Sequence, residues 1–92
     1  MNVGDKWVLV CDDNLQISKY DSVIQYEIEN YQKWPNFLIG TIDKIINNVI
    51  IIKWSNCKST HHTRDIFLQL VNTIFVPHTT WIRDVKIKSL LD

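Results

Sequence analysis

The stretch WPNFLIGTIDKIINNVIIIKWSN, residues 34–56, reads as two short strands joined by a tight turn. Phe37 to Ile42 alternates imperfectly around Gly40, and Val49 to Trp54 is strongly β-branched. Asn47-Asn48 lies between them, and Asn tolerates the left-handed backbone of a tight hairpin. Such a hairpin brings Trp34 and Trp54, at its two ends, close to one another. Two neighbouring indoles can form a binding surface or fill a small core. Their positions beside polar residues leave both readings open.

Outward from the hairpin, Trp7 to Cys11 is a short apolar run suited to a buried strand, and Asp12-Asp13-Asn14 ends it. Leu15 to Lys33 supports two periods. Ile17, Tyr20, Ile24, Ile28 and Tyr31 recur at helical spacing, while Ile24, Tyr26 and Ile28 alternate with Gln25, Glu27 and Glu29 as in a strand. The strand reading is preferred for Val23 to Tyr31, with an irregular loop before it. Cys57 to Thr63 is polar and reads as a loop. Arg64 to Val71 fits a helical turn or a strand. Thr73 to Val76 is a strand stopped by Pro77, and Trp81 to Leu90 is a last strand. Five or six short strands with little helix predict a small, mostly antiparallel β-barrel with a long insert after the first strand. Val8, Val10, Ile39, Ile42, Ile50, Ile52, Phe75, Ile82 and Ile87 are its expected core, with Trp7 and Trp81 packed among them.

The 92 residues make one domain, 1–92, with a small core. Hydrophobic residues at 46% and charged residues at 22% argue against disorder. Ten basic residues balance ten acidic ones, which lacks the basic excess of a nonspecific nucleic-acid binder. The most basic segment, Arg83 to Lys88, also fits an edge strand solvated by its charges. No apolar run approaches the about 18 residues of a membrane span. Two cysteines without a secretory leader point to free thiols in an intracellular, reducing compartment.

Little in the chain points to catalysis. Cys57, His61, His62, His78 and Cys11 match no common zinc spacing, and the imidazoles read as solvated loop residues. In an extended chain His61 and His62 point to opposite sides. Neither cysteine has a glycine-rich nucleophile turn, and two glycines cannot build a phosphate cradle. The chain is expected to be no enzyme and to need no cofactor. The aromatic residues are the better lead, because indole and phenol faces attract cations and stack on bases.

Lys53-Trp54-Ser55-Asn56 resembles the aspartate-tyrosine-glycine-asparagine motif that closes the third strand of Tudor domains. Trp54 stands for the tyrosine and Asn56 for the asparagine, while Lys53 and Ser55 depart from the motif. Trp34-Pro35 resembles the tryptophan-proline step of PWWP domains, and Gly4-Asp5 with Trp7-Val8 resembles their opening strand. The resemblance implies a five-stranded Src-homology-like barrel. Its implied ligand is a protein segment, a methylated lysine or arginine of a histone tail included, held by Tyr31, Trp34, Phe37, Trp54 and Asn56. That setting implies chromatin and the nucleus. A second resemblance is to the C-terminal domains of retroviral and retrotransposon integrases. It rests on Gly4-Asp5 at one end and on Trp81-Ile82 with Ile87-Lys88 at the other. It implies the same barrel, contacting DNA through Lys53, Lys58, Arg64, Arg83, Lys86 and Lys88. A structural dimerisation module, with exposed aromatics as the self-interface, is the third class.

Overall fold

The computed structural model describes residues 1–11, 15–71 and 73–83. Its strands are β1 (Lys6–Leu9), β2 (Ile39–Ile46), β3 (Val49–Trp54), β4 (Ser59–Thr63) and β5 (Phe75–Pro77). Helix α1 (Ser22–Gln32) follows a single 3-10 turn at Ile17–Lys19, and α2 (Arg64–Val71) joins β4 to β5. The five strands form one antiparallel sheet in the order β4-β3-β2-β1-β5.

The hairpin forms where the Asn pair predicts it. Ile46 pairs with Val49 across a two-residue loop, and Asn47 takes a φ of 55°. Its first strand starts later and runs longer than the sequence suggests, to Ile46, with a bulge between Ile42 and Lys44.

Period 2 places alternate residues on opposite faces of the sheet. The inner face carries Leu9, Ile42, Ile50, Ile52, Trp54 and Phe75, all buried. The two helices cover it, α1 with Ile24, Ile28 and Tyr31 and α2 with Phe67 and Leu70, in one apolar cluster. Of the expected core, Val8, Ile42, Ile50, Ile52 and Phe75 are buried, while Val10, Ile39 and Ile82 are half-buried.

Four readings are corrected. Val23 to Tyr31 is helix, not strand. The Asp21 side chain accepts the Ile24 N–H at 3.0 Å, an N-cap. Tyr26 is 63% exposed while Ile24 and Ile28 are buried, which only a 3.6 period allows. Ser59–Thr63 is an edge strand rather than a loop, because β3 offers it a free ladder from Val49 to Lys53. Residues 78–83 are helical, so no strand begins at Trp81. Trp81 is half-buried against Phe37 and His78 rather than in the core. Ile87, Lys86, Lys88 and the remainder of that expected strand lie outside the described residues.

Candidate functional site

A pocket of about 170 Å³ opens where α1 meets the exposed edge strand β4. Glu27, Asn30, Tyr31 and Trp34 line it from α1 and the turn after it; Thr60, His61 and His62 line it from β4. Both periods are visible in this set. Residues 27, 30, 31 and 34 share one helical face, and Trp34 stays on it because its N–H bonds the Tyr31 carbonyl at 3.0 Å. Thr60 and His62 are the two inward positions of β4, and His61 between them points out.

A chain of hydrogen bonds backs the pocket. Trp54 Nε1–H donates to Thr60 Oγ1 at 2.8 Å, and the Tyr31 hydroxyl donates to the same oxygen at 2.8 Å. Tyr31 Oη also lies 2.7 Å from His62 Nε2. His62 Nδ1 stands 3.5 Å from Glu27 Oε2. Burial, and secondarily the charge of His61, pushes the His62 pKa down to about 4. The imidazole is therefore neutral at neutral pH, and its contact with Glu27 is not an ion pair there. Burial raises the Tyr31 phenol well above its ordinary value, and the Glu27 carboxylate raises it further. Burial also raises the Glu27 carboxyl.

The aromatic rings stack edge to face around this chain. Trp34 and Trp54 lie 5.9 Å apart at 88°, and Tyr31 lies 5.2 Å from Trp34 and 5.6 Å from Trp54. The two indoles that end the hairpin do meet. They do not form two walls of one open cage. Trp54 is 2% exposed, packed behind Tyr31 against Phe75, and belongs to the core. Trp34 is half-buried and borders the pocket, with Lys58 Nζ 5.6 Å from its ring.

The other nominated residues lie elsewhere. Phe37 is 57% exposed, at a φ of 68°, with its ring on Trp81 and not on Trp34. Asn56 shapes the β3–β4 turn, where its Oδ1 accepts the Lys58 N–H at 3.1 Å. Lys53, Lys58, Arg64 and Arg83 are exposed, and none of them lines the pocket. Cys11 is buried and Cys57 is exposed.

Neither the sequence nor the fold matches a family model, a curated protein or a solved structure.

Glu27, Asn30, Thr60, His61 and His62 are the site residues that sequence reasoning missed. The reading of the histidines as solvated fails for His62, which is buried at the base of the pocket. The helical alternative for residues 17–31 was the available signal. Extended to position 34, it places Glu27, Asn30, Tyr31 and Trp34 together. Among the described residues no cluster of three or more His, Cys, Asp or Glu could hold a metal. No helix among them is long and apolar enough to cross a membrane.

Proposed function

We propose that this chain is a non-enzymatic binding module whose pocket receives a cationic side chain of a protein segment. The observation that carries the reading is that a carboxylate and an indole, Glu27 and Trp34, line one pocket. An indole face attracts cations, and Lys58 already stands over this one. A bound cation also offsets the burial that disfavours the Glu27 anion.

The titrating groups argue against turnover. A general base works best with a pKa near the working pH, and His62 is pushed to about 4. Tyr31 is pushed the other way, which makes it a poor nucleophile and a poor acid. The pocket thus holds a strongly shifted histidine, but shifted away from catalytic use.

The Tudor-like resemblance extends this reading to a barrel and to a lysine or arginine of a chromatin protein in the nucleus. The connectivity supports it, since β5 returns to the edge that β1 leaves open. Here the ligand-contacting members of the nominated set are Tyr31 and Trp34. A nucleic-acid reading has one observation in its favour. Lys6, Thr41 and Lys53 form a cross-strand row on the outer face, bordering a groove with Ile39 and Ser55.

Tryptophan fluorescence titrations with a lysine- and arginine-bearing peptide and with duplex DNA separate the two. We expect peptide binding with a shallow salt dependence. Glu27→Gln and Trp34→Ala should each weaken it roughly 3- to 30-fold, the scale of a cation–π contact. Tight DNA binding that collapses with salt and needs Lys6 and Lys53 would replace this reading with the nucleic-acid one.

A further inference from the structure

The two edges of the sheet are built differently. Strand β5 has three residues and ends in Pro77, which cannot donate to a neighbour. A short strand with a proline is an ordinary way to close an edge to other chains. Strand β4 has five residues, Ser59–Thr63, with no proline, lysine or glycine among them and no bulge against β3. Among the described residues no strand pairs with its outer side. Trp54 N–H bonds the Lys58 carbonyl at 2.8 Å, and Arg64 N–H bonds the Asn48 carbonyl at 2.9 Å. In that antiparallel register Thr60 and His62 turn their backbone groups to β3, while Ser59 and His61 turn theirs outward.

This edge opens beside the pocket. Helix α1 runs along β4 in the opposite direction. Glu27 meets His62 at 3.5 Å, Tyr31 meets Thr60 at 2.8 Å, and Trp34 meets Lys58 at 5.6 Å. Four helical residues advance about 6 Å and two strand residues about 6.6 Å, so the helix keeps pace with the strand. A chain laid against the outer side of β4 puts every second side chain on the inner face of the sheet, next to Thr60 or His62. Next to Thr60, such a side chain enters the pocket between Glu27 and Trp34. Among the described residues no lysine or arginine forms an ion pair with Glu27.

We propose that the cationic side chain arrives on an extended protein segment that adds to β4 as a further antiparallel strand, its backbone bonded to Ser59 and His61 and its lysine or arginine next to Thr60. The inference rests on the cation-binding reading above and specifies how the partner is held. Antiparallel addition continues the pairing of the whole sheet and is slightly more stable per residue than parallel addition. The two residues flanking the lysine each exchange a pair of hydrogen bonds with the edge. Those bonds give affinity whatever the sequence, and the pocket chooses the side chain. The backbone N–H of the lysine itself points away from β4. Its ammonium is drawn to the Glu27 end, because Lys58 already stands over Trp34.

The test uses the unmodified chain and a five-residue peptide, capped at both ends, that reads threonine, valine, lysine, valine, threonine. Amide hydrogen exchange is followed residue by residue by nuclear magnetic resonance. Saturating peptide should slow exchange at the Ser59 and His61 amides. Methylating the backbone nitrogens of both valines should weaken binding roughly tenfold or more, because hydrogen-bond partners on the edge are then left unmatched. Methylating the backbone nitrogen of the lysine should leave affinity nearly unchanged. Leucine in place of lysine should weaken binding roughly 3- to 30-fold, the scale of the lost cation contact. Equal sensitivity to the two methylations, or Ser59 and His61 amides that exchange freely in the saturated complex, overturns the strand addition and leaves the cation-binding reading standing. A leucine peptide that binds as tightly as the lysine one sinks both. Amides of Ser59 and His61 that are already protected before peptide is added also overturn the inference. Sedimentation then says whether the edge is held by a second copy, in a dimer, or by the chain itself, in a monomer. No substitution in the protein is required, so loss of folding cannot blur the outcome.

Discussion

Trp54 and Trp7 exchange the roles that their neighbours in the sequence imply. Trp7 sits in an apolar run and is only half-buried, edge-on to Phe67 at 5.7 Å. Trp54 sits between Lys53 and Ser55, yet it is buried and gives its indole N–H to Thr60. A strand makes this possible, because flanking polar residues face out when the middle one faces in. Trp54→Ala should therefore cost about 3–5 kcal/mol, since truncation of a large buried ring leaves a cavity. The thermal midpoints of Trp54→Ala, Trp7→Ala and Trp34→Ala provide the check. Trp54→Ala should melt first; melting no earlier than Trp34→Ala would return Trp54 to the surface. The polar neighbours of Trp54 thus marked the end of an element and left its burial open, while the apolar neighbours of Trp7 overstated its burial.

At the scale of the element, Gly40 explains how β2 and β3 fit together. It pairs with Trp54 on the inner face, and a Cβ there would stand 2.7 Å from Trp54 Cζ3 and 2.8 Å from Ile52 Cγ2. The indole lies on bare backbone. Gly40→Ala pushes a methyl into a rigid ring and a β-branched side chain, and should cost roughly 1–3 kcal/mol. Urea midpoints measure this, and a variant as stable as the parent would show that the ring can move aside. The hairpin itself was legible, because β-branched runs flank an Asn pair and each signal is local. Helix α1 was not. Its alternation of Ile24, Tyr26 and Ile28 imitates a strand over five residues, and only burial against α2 and the sheet separates the two periods. Strand β4 was illegible for the opposite reason. Its STHHT sequence has no apolar pattern, and it is a strand because β3 supplies the ladder. The site inherits both failures. Trp34 and Tyr31 were found as aromatics, whereas Glu27, Asn30, Thr60 and His62 required the periods of α1 and β4.

Across the whole molecule, the buried imidazole links folding to pH. Its pKa is about 4 when folded, against an ordinary value of 6.5. Between those values the unfolded chain binds a proton that the folded one refuses, so stability falls as pH drops from above 6.5 to 4 and levels off below. The loss approaches about 3 kcal/mol. Glu27, whose carboxyl is raised by burial, acts in the opposite direction, binding a proton more readily when folded and offsetting part of the loss. Urea denaturation at pH 7 and pH 4.5 should show the weaker fold at the lower pH. Equal midpoints would mean that the His62 ring accepts its proton in place. The order of the sheet has a separate consequence, for the time course of synthesis. Strand β1 lies between β2 and β5, and Val8 pairs with both Ile39 and Val76. The β2–β3 hairpin can close as soon as it leaves the ribosome. The first strand cannot gain its second neighbour until residues 75–77 have emerged. Until then one row of its backbone N–H and C=O groups stays open to any other extended chain, so β1, made before either of its partners, is a place where the growing chain is exposed to mispairing.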